Sequence, residues 1–66
     1  MTHDRTYTFD CRRERETDAA ILVTHLESGE QLWFPLSTVH ETHFHNSTHL
    51  GSLIVDEWIA KKKGLC

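Results

Sequence analysis

Leu32-Trp33-Phe34-Pro35-Leu36-Ser37 is the stretch that decides most of the fold, because it places two large aromatics and a proline in a segment too short and too apolar for a surface loop. Neighbouring strand residues point to opposite faces, so the two aromatics either lie on opposite sides of a sheet or are both buried in a two-sided core. Pro35 has no N–H, so the strand must end there, bulge there or lie at an edge. Whichever of Trp33 and Phe34 faces outward marks a candidate binding face.

Two more strands are predicted on the N-terminal side of this run. Residues 6–12 alternate between apolar and polar, which is the period of a half-buried strand. Residues 19–26 are apolar on both faces, which predicts the core strand, either covered on both sides or central in a curled sheet. The polar segment 12–18 is a loop or a hairpin arm beyond the core. Gly29 predicts a hairpin turn into a third strand at 31–34.

The C-terminal side predicts two strands and a helix. Residues 36–45 have extended character, and 52–55 form a short fifth strand after a polar turn. The fold class is therefore mainly β: a small curled antiparallel sheet, or a partly open SH3-like or OB-like barrel, of about five strands with one short C-terminal helix. A flat meander with the helix across one face is the alternative. Residues 1–66 form a single domain, with 1–5 expected to be flexible.

The helix has clear start and stop signals. Asp56 is placed to cap its N-terminus, and Gly64 stands where a left-handed C-cap is needed. Leu65 can then fold back on the last turn in a Schellman motif. Trp58 and Ile59 are adjacent, and they are expected to pin one side of the helix to the sheet.

The composition of the chain limits the classes of function that it can have. A chain of 66 residues buries about 60% of its unfolded surface, which leaves no room for a deep active-site cleft. A net charge of −3 argues against a surface shaped as a whole for nucleic-acid phosphates. Apart from Arg5, positive charge lies in two short clusters. One is Lys61 to Lys63. The other is Arg12, Arg13 and Arg15, which are interleaved with glutamates. Each is either a solvated face or a local patch.

No membrane or export signal is visible near Met1, so a cytoplasmic location is expected. Cys11 and Cys66 are too few for a disulfide framework, and Cys66 is expected to be a free thiol. Cys11 lies in an apolar alternation and is expected in the core, so it is a poor candidate for a nucleophile. The chain has no Gly-rich phosphate loop and no paired-carboxylate spacing. We therefore expect a protein that is not an enzyme.

Four histidines fall within ten residues: His40, His43, His45 and His49. On a strand, His43 and His45 share a face about 7 Å apart and both could reach one zinc ion. A third ligand would come from Glu41, from His49 or from a neighbouring strand. The alternative is a polar, solvent-facing strand with weak adventitious metal affinity. No other cofactor is indicated.

Three segments carry a resemblance: Asp18-Ala19-Ala20-Ile21-Leu22-Val23, then Trp33-Phe34-Pro35-Leu36-Ser37-Thr38-Val39, and finally Glu57-Trp58-Ile59-Ala60-Lys61-Lys62-Lys63-Gly64-Leu65. Together they make the chain similar to a group of small uncharacterised accessory proteins of tailed phages and prophages. The resemblance implies an accessory protein associated with replication and recombination genes, and it supplies no catalytic residues. The histidine segment departs from the group, which usually has acidic and polar residues there.

Three hypotheses of function follow. The first is a non-enzymatic phage or prophage binding module that acts in the bacterial cytoplasm through a bacterial or phage protein, and that dimerises through a sheet edge. Its contact residues would be Trp33, Phe34 and the three arginines. The second is a single-stranded nucleic-acid-binding protein, with the arginines on phosphates and Trp33 stacked on a base. The third is a zinc-binding protein.

Overall fold

A computed structural model describes residues 5–65 of the chain. It contains five strands, a 3₁₀ turn and one helix: β1 (Thr6–Glu16), β2 (Ala20–His25), β3 (Gln31–Pro35), the 3₁₀ turn (Leu36–Thr38), β4 (Val39–Phe44), β5 (Leu50–Asp56) and α1 (Glu57–Lys62). The prediction of a mainly β fold with about five strands and a short C-terminal helix is confirmed. The expectations for residues 1–4 and Cys66 lie outside the described residues, and the carbonyl of Arg5 accepts the backbone N–H of Glu57 at 3.0 Å.

All five strands form one antiparallel, unclosed sheet in the order β3-β2-β1-β5-β4. The two edge strands are consecutive in the chain and are joined by the three-residue 3₁₀ turn, so the sheet curls and brings its edges together at that end. Bulges between Arg13 and Arg15 and between Val39 and Glu41 add local twist. β1 is therefore the central strand, and the prediction that 19–26 is the central one is wrong.

β2 is buried on one face only, because just its alternate residues Ile21, Val23 and His25 are enclosed. The polar segment 12–18 is not a loop, since β1 continues through it to Glu16 as the arm of a hairpin with β2. The predicted fourth strand starts later than expected because residues 36–38 form the 3₁₀ turn. Thr38 stabilises that turn by donating its hydroxyl to the carbonyl of Pro35 at 2.7 Å.

The core lies on the concave face of the sheet, where α1 covers part of it. Nine residues form this core: Phe9, Cys11, Ile21, Val23, Phe34, Leu53, Val55, Ile59 and Ala60. Only Ile59 and Ala60 come from the helix, and Trp58 is 46% exposed. The expectation that Trp58 packs on the sheet is therefore wrong, because adjacent helical residues diverge by about 100° around the axis.

The helix ends as predicted but begins differently. Gly64 has a φ of 81°, and the N–H of Leu65 reaches the carbonyl of Ala60 at 2.9 Å, which is the Schellman pattern. The hydroxyl of Tyr7 donates to the carbonyl of Leu65 at 3.1 Å and ties this end to β1. Asp56 occupies the N-cap position, yet its carboxylate makes no capping hydrogen bond.

Candidate protein-binding surface

Trp33 and Phe34 lie on opposite faces of β3. The Phe34 side chain is fully buried, and Trp33 is 43% exposed on the face turned away from the core. Leu22 lies opposite Trp33 on β2, so the two are cross-strand neighbours on this outer face. Trp33 is therefore the outward residue that marks the candidate binding face. Phe34 was also expected to contact a partner, but it is no longer a candidate contact residue because the core encloses it.

The backbone of β3 offers hydrogen-bonding groups at its outer edge. His25 donates its N–H to the carbonyl of Glu30, and Leu36 donates to Ala19. Because hydrogen-bonded and non-bonded pairs alternate along an antiparallel ladder, the N–H and C=O groups of Gln31 and Trp33 point away from β2. No described strand pairs with them, since β3 is the last strand of the sheet. We call the outer side of Gln31–Pro35 the β3 edge.

β4, at the opposite side of the sheet, is a protected edge. It carries His40, Glu41 and His43, and a bulge interrupts its ladder. Charged side chains and bulges discourage another strand from pairing with an edge. β3 has neither a charged residue nor an irregular register, and only Pro35 protects its C-terminal end. The β3 edge is thus the more open of the two.

Three arginines were expected to be contact residues: Arg12, Arg13 and Arg15. The Nε of Arg12 donates to Oε2 of Glu14 at 2.7 Å. The guanidinium of Arg13 lies 5.5 Å from the Phe44 ring centroid, and its Nη2 is 3.2 Å from Nδ1 of His49. The partners of Arg13 are not visible in the sequence pattern, because they depend on strand order, whereas Arg12 and Glu14 are two positions apart on one strand. Within residues 5–65, neither Arg13 nor Arg15 makes an ion pair with a carboxylate, so two of the three arginines keep their charge on an arm that also carries Glu14 and Glu16.

Glu14 offsets the charge of Arg12 on this arm. The hydroxyl of Thr24 donates to its Oε2 at 2.6 Å, and this bond, together with that from Arg12, holds the pKa of Glu14 below its ordinary value. The carboxylate is therefore ionised at neutral pH. An open depression of about 560 Å³ beside it is lined by the arginines and glutamates of 12–16 and by loop residues Thr48 and His49. Its walls carry both signs of charge.

Three of the four histidines proposed as metal ligands, His40, His43 and His49, contact separate partners. Nε2 of His40 is 2.6 Å from Oδ1 of Asp56, and Nε2 of His43 is 3.1 Å from Oε1 of Glu41. The residues opposite His43 and His45 on β5 are Ser52 and Leu50, neither of which supplies a third zinc ligand. Among residues 5–65, no group of three or more His, Cys, Asp or Glu side chains is placed to hold a metal ion. The hypothesis of a zinc site in this segment therefore has no support from these residues.

Cys11 is enclosed in the core, as predicted. Desolvation, with a smaller contribution from the charge of Asp10, raises the pKa of its thiol to about 12. The thiolate is the reactive form of cysteine, so this residue is not an activated nucleophile at neutral pH.

A Cys66→Ser variant isolates Cys11 as the one thiol in the chain. We expect no reaction with a thiol-specific reagent at pH 8 in the native protein, and stoichiometric labelling after unfolding. The free energy of unfolding should also fall as the pH rises from 9.0 towards 12, because the unfolded thiol ionises first and the folded thiol keeps its proton. Labelling of the folded protein at the rate of an exposed thiol would contradict this result. In a Cys11→Ala variant, this contribution to the pH dependence should be absent.

Two features near the ends of the sheet were not predicted from the sequence. Asp56 bridges two side chains: it contacts His40, and its Oδ2 accepts the indole N–H of Trp58 at 3.3 Å. Lys63 Nζ lies 5.4 Å from the ring centroid of Phe34, which puts a positive charge beside β3. A lysine at a helix C-terminus suggests only an interaction with the helix dipole, and no sequence signal indicates that it reaches the sheet.

No protein-family model, curated protein or solved structure matches this chain. Over residues 5–65, no helix has the length and apolar composition needed to cross a membrane.

Proposed function

We propose that this protein is a non-enzymatic binding module that takes up an extended segment of a protein partner along the β3 edge, with Trp33 as the anchoring side chain. The observation that carries the proposal is the exposure of Trp33 on an uncharged edge strand whose backbone groups have no strand partner among the described residues. An added strand would use the N–H and C=O groups of Gln31 and Trp33 for affinity, and side-chain contacts with the indole for specificity.

The charges on the hairpin arm favour a protein over a single-stranded nucleic acid. A strand of nucleic acid needs a positively charged groove beside the stacking aromatic. Arg12 is paired with the ionised Glu14, and Arg13 is held against Phe44 and His49. Arg15, opposite Leu22 on the neighbouring strand, is the remaining arginine; it stands between Glu14 and Glu16 in a chain with a net charge of −3. A polypeptide segment requires no such groove. The protein partner is therefore the better supported of these two hypotheses.

The resemblance to accessory proteins of tailed phages and prophages supports the wider setting of this proposal. It favours a module that acts in the bacterial cytoplasm on a bacterial or phage protein. A small domain with one anchoring aromatic and one open strand is suited to this role, because it needs only a short linear segment in its target.

A displayed library of random linear peptides tests the proposal directly. Wild-type protein is the target of selection, and Trp33→Ala and Trp58→Ala variants are compared with it. We expect selected peptides to bind wild type and Trp58→Ala alike, and to bind Trp33→Ala at least about tenfold more weakly. Trp58 is the matched control because it is a similarly exposed tryptophan away from β3.

Hydrogen exchange locates the peptide on the surface. In protein dilute enough that the β3 edge is not self-paired, the amides of Gln31 and Trp33 should gain protection when a selected peptide is added, since the new strand accepts their N–H groups. Peptides that bind Trp33→Ala as tightly as wild type, or that protect β4 instead, would contradict the proposal.

A further inference from the structure

The β3 edge is complementary to itself. Its outward N–H and C=O groups belong to Gln31 and Trp33, with Leu32 between them. If two copies meet antiparallel about a two-fold axis at Leu32, Gln31 of each copy forms a hydrogen-bonded pair with Trp33 of the other. That arrangement makes four backbone hydrogen bonds across the interface and joins two five-stranded sheets into one.

Charge selects this register. With the axis at Leu32, Glu30 of one copy lies opposite Phe34 of the other, in a non-hydrogen-bonded pair whose Cα atoms are about 4.5 Å apart. Glu30 alternates with Leu32 and Phe34, so its side chain points to the same face as Phe34, beside which Lys63 Nζ lies. Within residues 5–65, neither Glu30 nor Lys63 has an ion-pair partner in its own chain. Glu30 of each copy thus meets Lys63 of the other, twice by symmetry.

The alternative axis, at Trp33, is less favourable. It would place Glu30 opposite Leu36 and Gln31 opposite Pro35, which has no N–H and whose carbonyl already accepts the hydroxyl of Thr38. With the axis at Leu32, the two Trp33 side chains are diagonal neighbours on the outer face, about 7–8 Å apart and within reach of each other. The backbone hydrogen bonds, the charged side chains and the tryptophans therefore all favour the register with its axis at Leu32.

We propose that, without a partner, a second copy of this chain occupies the β3 edge, forming an antiparallel β3–β3 dimer about Leu32 with reciprocal Glu30–Lys63 pairs. The dimer rests on the proposed function because it uses the same surface. Self-pairing is then the state that a partner segment must displace, so dimerisation regulates access to Trp33.

Sedimentation equilibrium over a concentration series tests the dimer without any partner. We expect reversible dimers for wild type and a dissociation constant at least about tenfold higher for Glu30→Lys and for Lys63→Glu, because each change makes two pairs repulsive. The double variant should recover dimerisation. Glu41→Lys and Lys62→Glu make the same charge changes away from the interface and should leave the dissociation constant unchanged. Circular dichroism confirms that each variant is folded.

A wild-type protein that is monomeric at all concentrations would overturn the dimer, and so would single charge reversals without effect or a double variant that fails to recover. Hydrogen exchange on wild type keeps the test independent of variant folding: protection at Gln31 and Trp33 should increase with protein concentration. Its absence where dimers form would also overturn the proposal. If the chain is monomeric and selected peptides still protect the β3 edge, the dimer is contradicted and the proposed function is supported. If the chain dimerises through the β3 edge but no peptide binds there, the proposed function is contradicted and the dimer is supported.

Discussion

Replacing Gly51 with alanine is expected to lower the free energy of unfolding by about 3 kcal/mol or more. Gly51 lies on β5 between Cys11 of β1 and Phe44 of β4. A Cβ atom at this position would overlap the backbone carbonyl of His43 and lie 2.8 Å from the Cα of Phe44. These are backbone atoms held by the β4–β5 ladder, so they cannot move aside as a flexible side chain would. The requirement is one of space, because Gly51 is not among the residues with positive φ.

The size of the effect follows from the small size of the domain. A chain of 66 residues is stabilised by roughly 3–10 kcal/mol in total. Overpacking against a fixed backbone costs up to about 3 kcal/mol and occasionally more. Chemical denaturation followed by circular dichroism measures the loss. Ser52→Ala is the neighbouring control on the same strand and should cost under about 1 kcal/mol; a Gly51→Ala variant of equal stability would show that β4 does not approach β5 this closely.

The second large effect on stability is expected at Phe34 and not at its neighbour Trp33. Phe34→Ala should lower the free energy of unfolding by about 3–5 kcal/mol, the range for deleting a buried aromatic side chain. Phe34 is fully buried, and its ring centroid lies 5.6 Å from that of Phe9. Trp33→Ala should cost under about 1 kcal/mol, because Trp33 is 43% exposed outside the core and the change removes one cross-strand contact, that with Leu22. Adjacent residues should thus differ several-fold in their effect on stability.

The same two positions should differ in the opposite sense for binding. Trp33→Ala removes the proposed anchor and should weaken both peptide binding and self-association while the domain stays folded. Phe34→Leu keeps an apolar side chain in the core and should leave the surface intact, so it separates loss of packing from loss of contact. Denaturation curves and sedimentation on the same samples measure both properties. Equal destabilisation by the two alanine variants would place Trp33 in the core as well.

The Trp33-Phe34-Pro35 run shows how much of the fold local sequence can predict. Alternation placed the two aromatics on opposite faces, but it left open whether both are buried and, if one is exposed, which one, because both are large and apolar. The choice depends on which face of the sheet the helix covers, and Ile59 and Ala60 cover the face that holds Phe34. The effect of Pro35 was predictable, since a missing N–H limits any strand: β3 ends there and is an edge strand.

Sequence by itself determined the features that depend on neighbours in the chain. The hairpin turn at Gly29, the Schellman end at Gly64 and the burial of Cys11 follow from backbone freedom and from apolar alternation, which act over a few residues. Tertiary structure alone decided that β1 is central, that His49 contacts Arg13 and that Asp56 contacts His40. These pairs are 36 and 16 positions apart in the chain, so only the folded sheet brings them within hydrogen-bonding distance. The same sheet leaves Trp33 at an open edge.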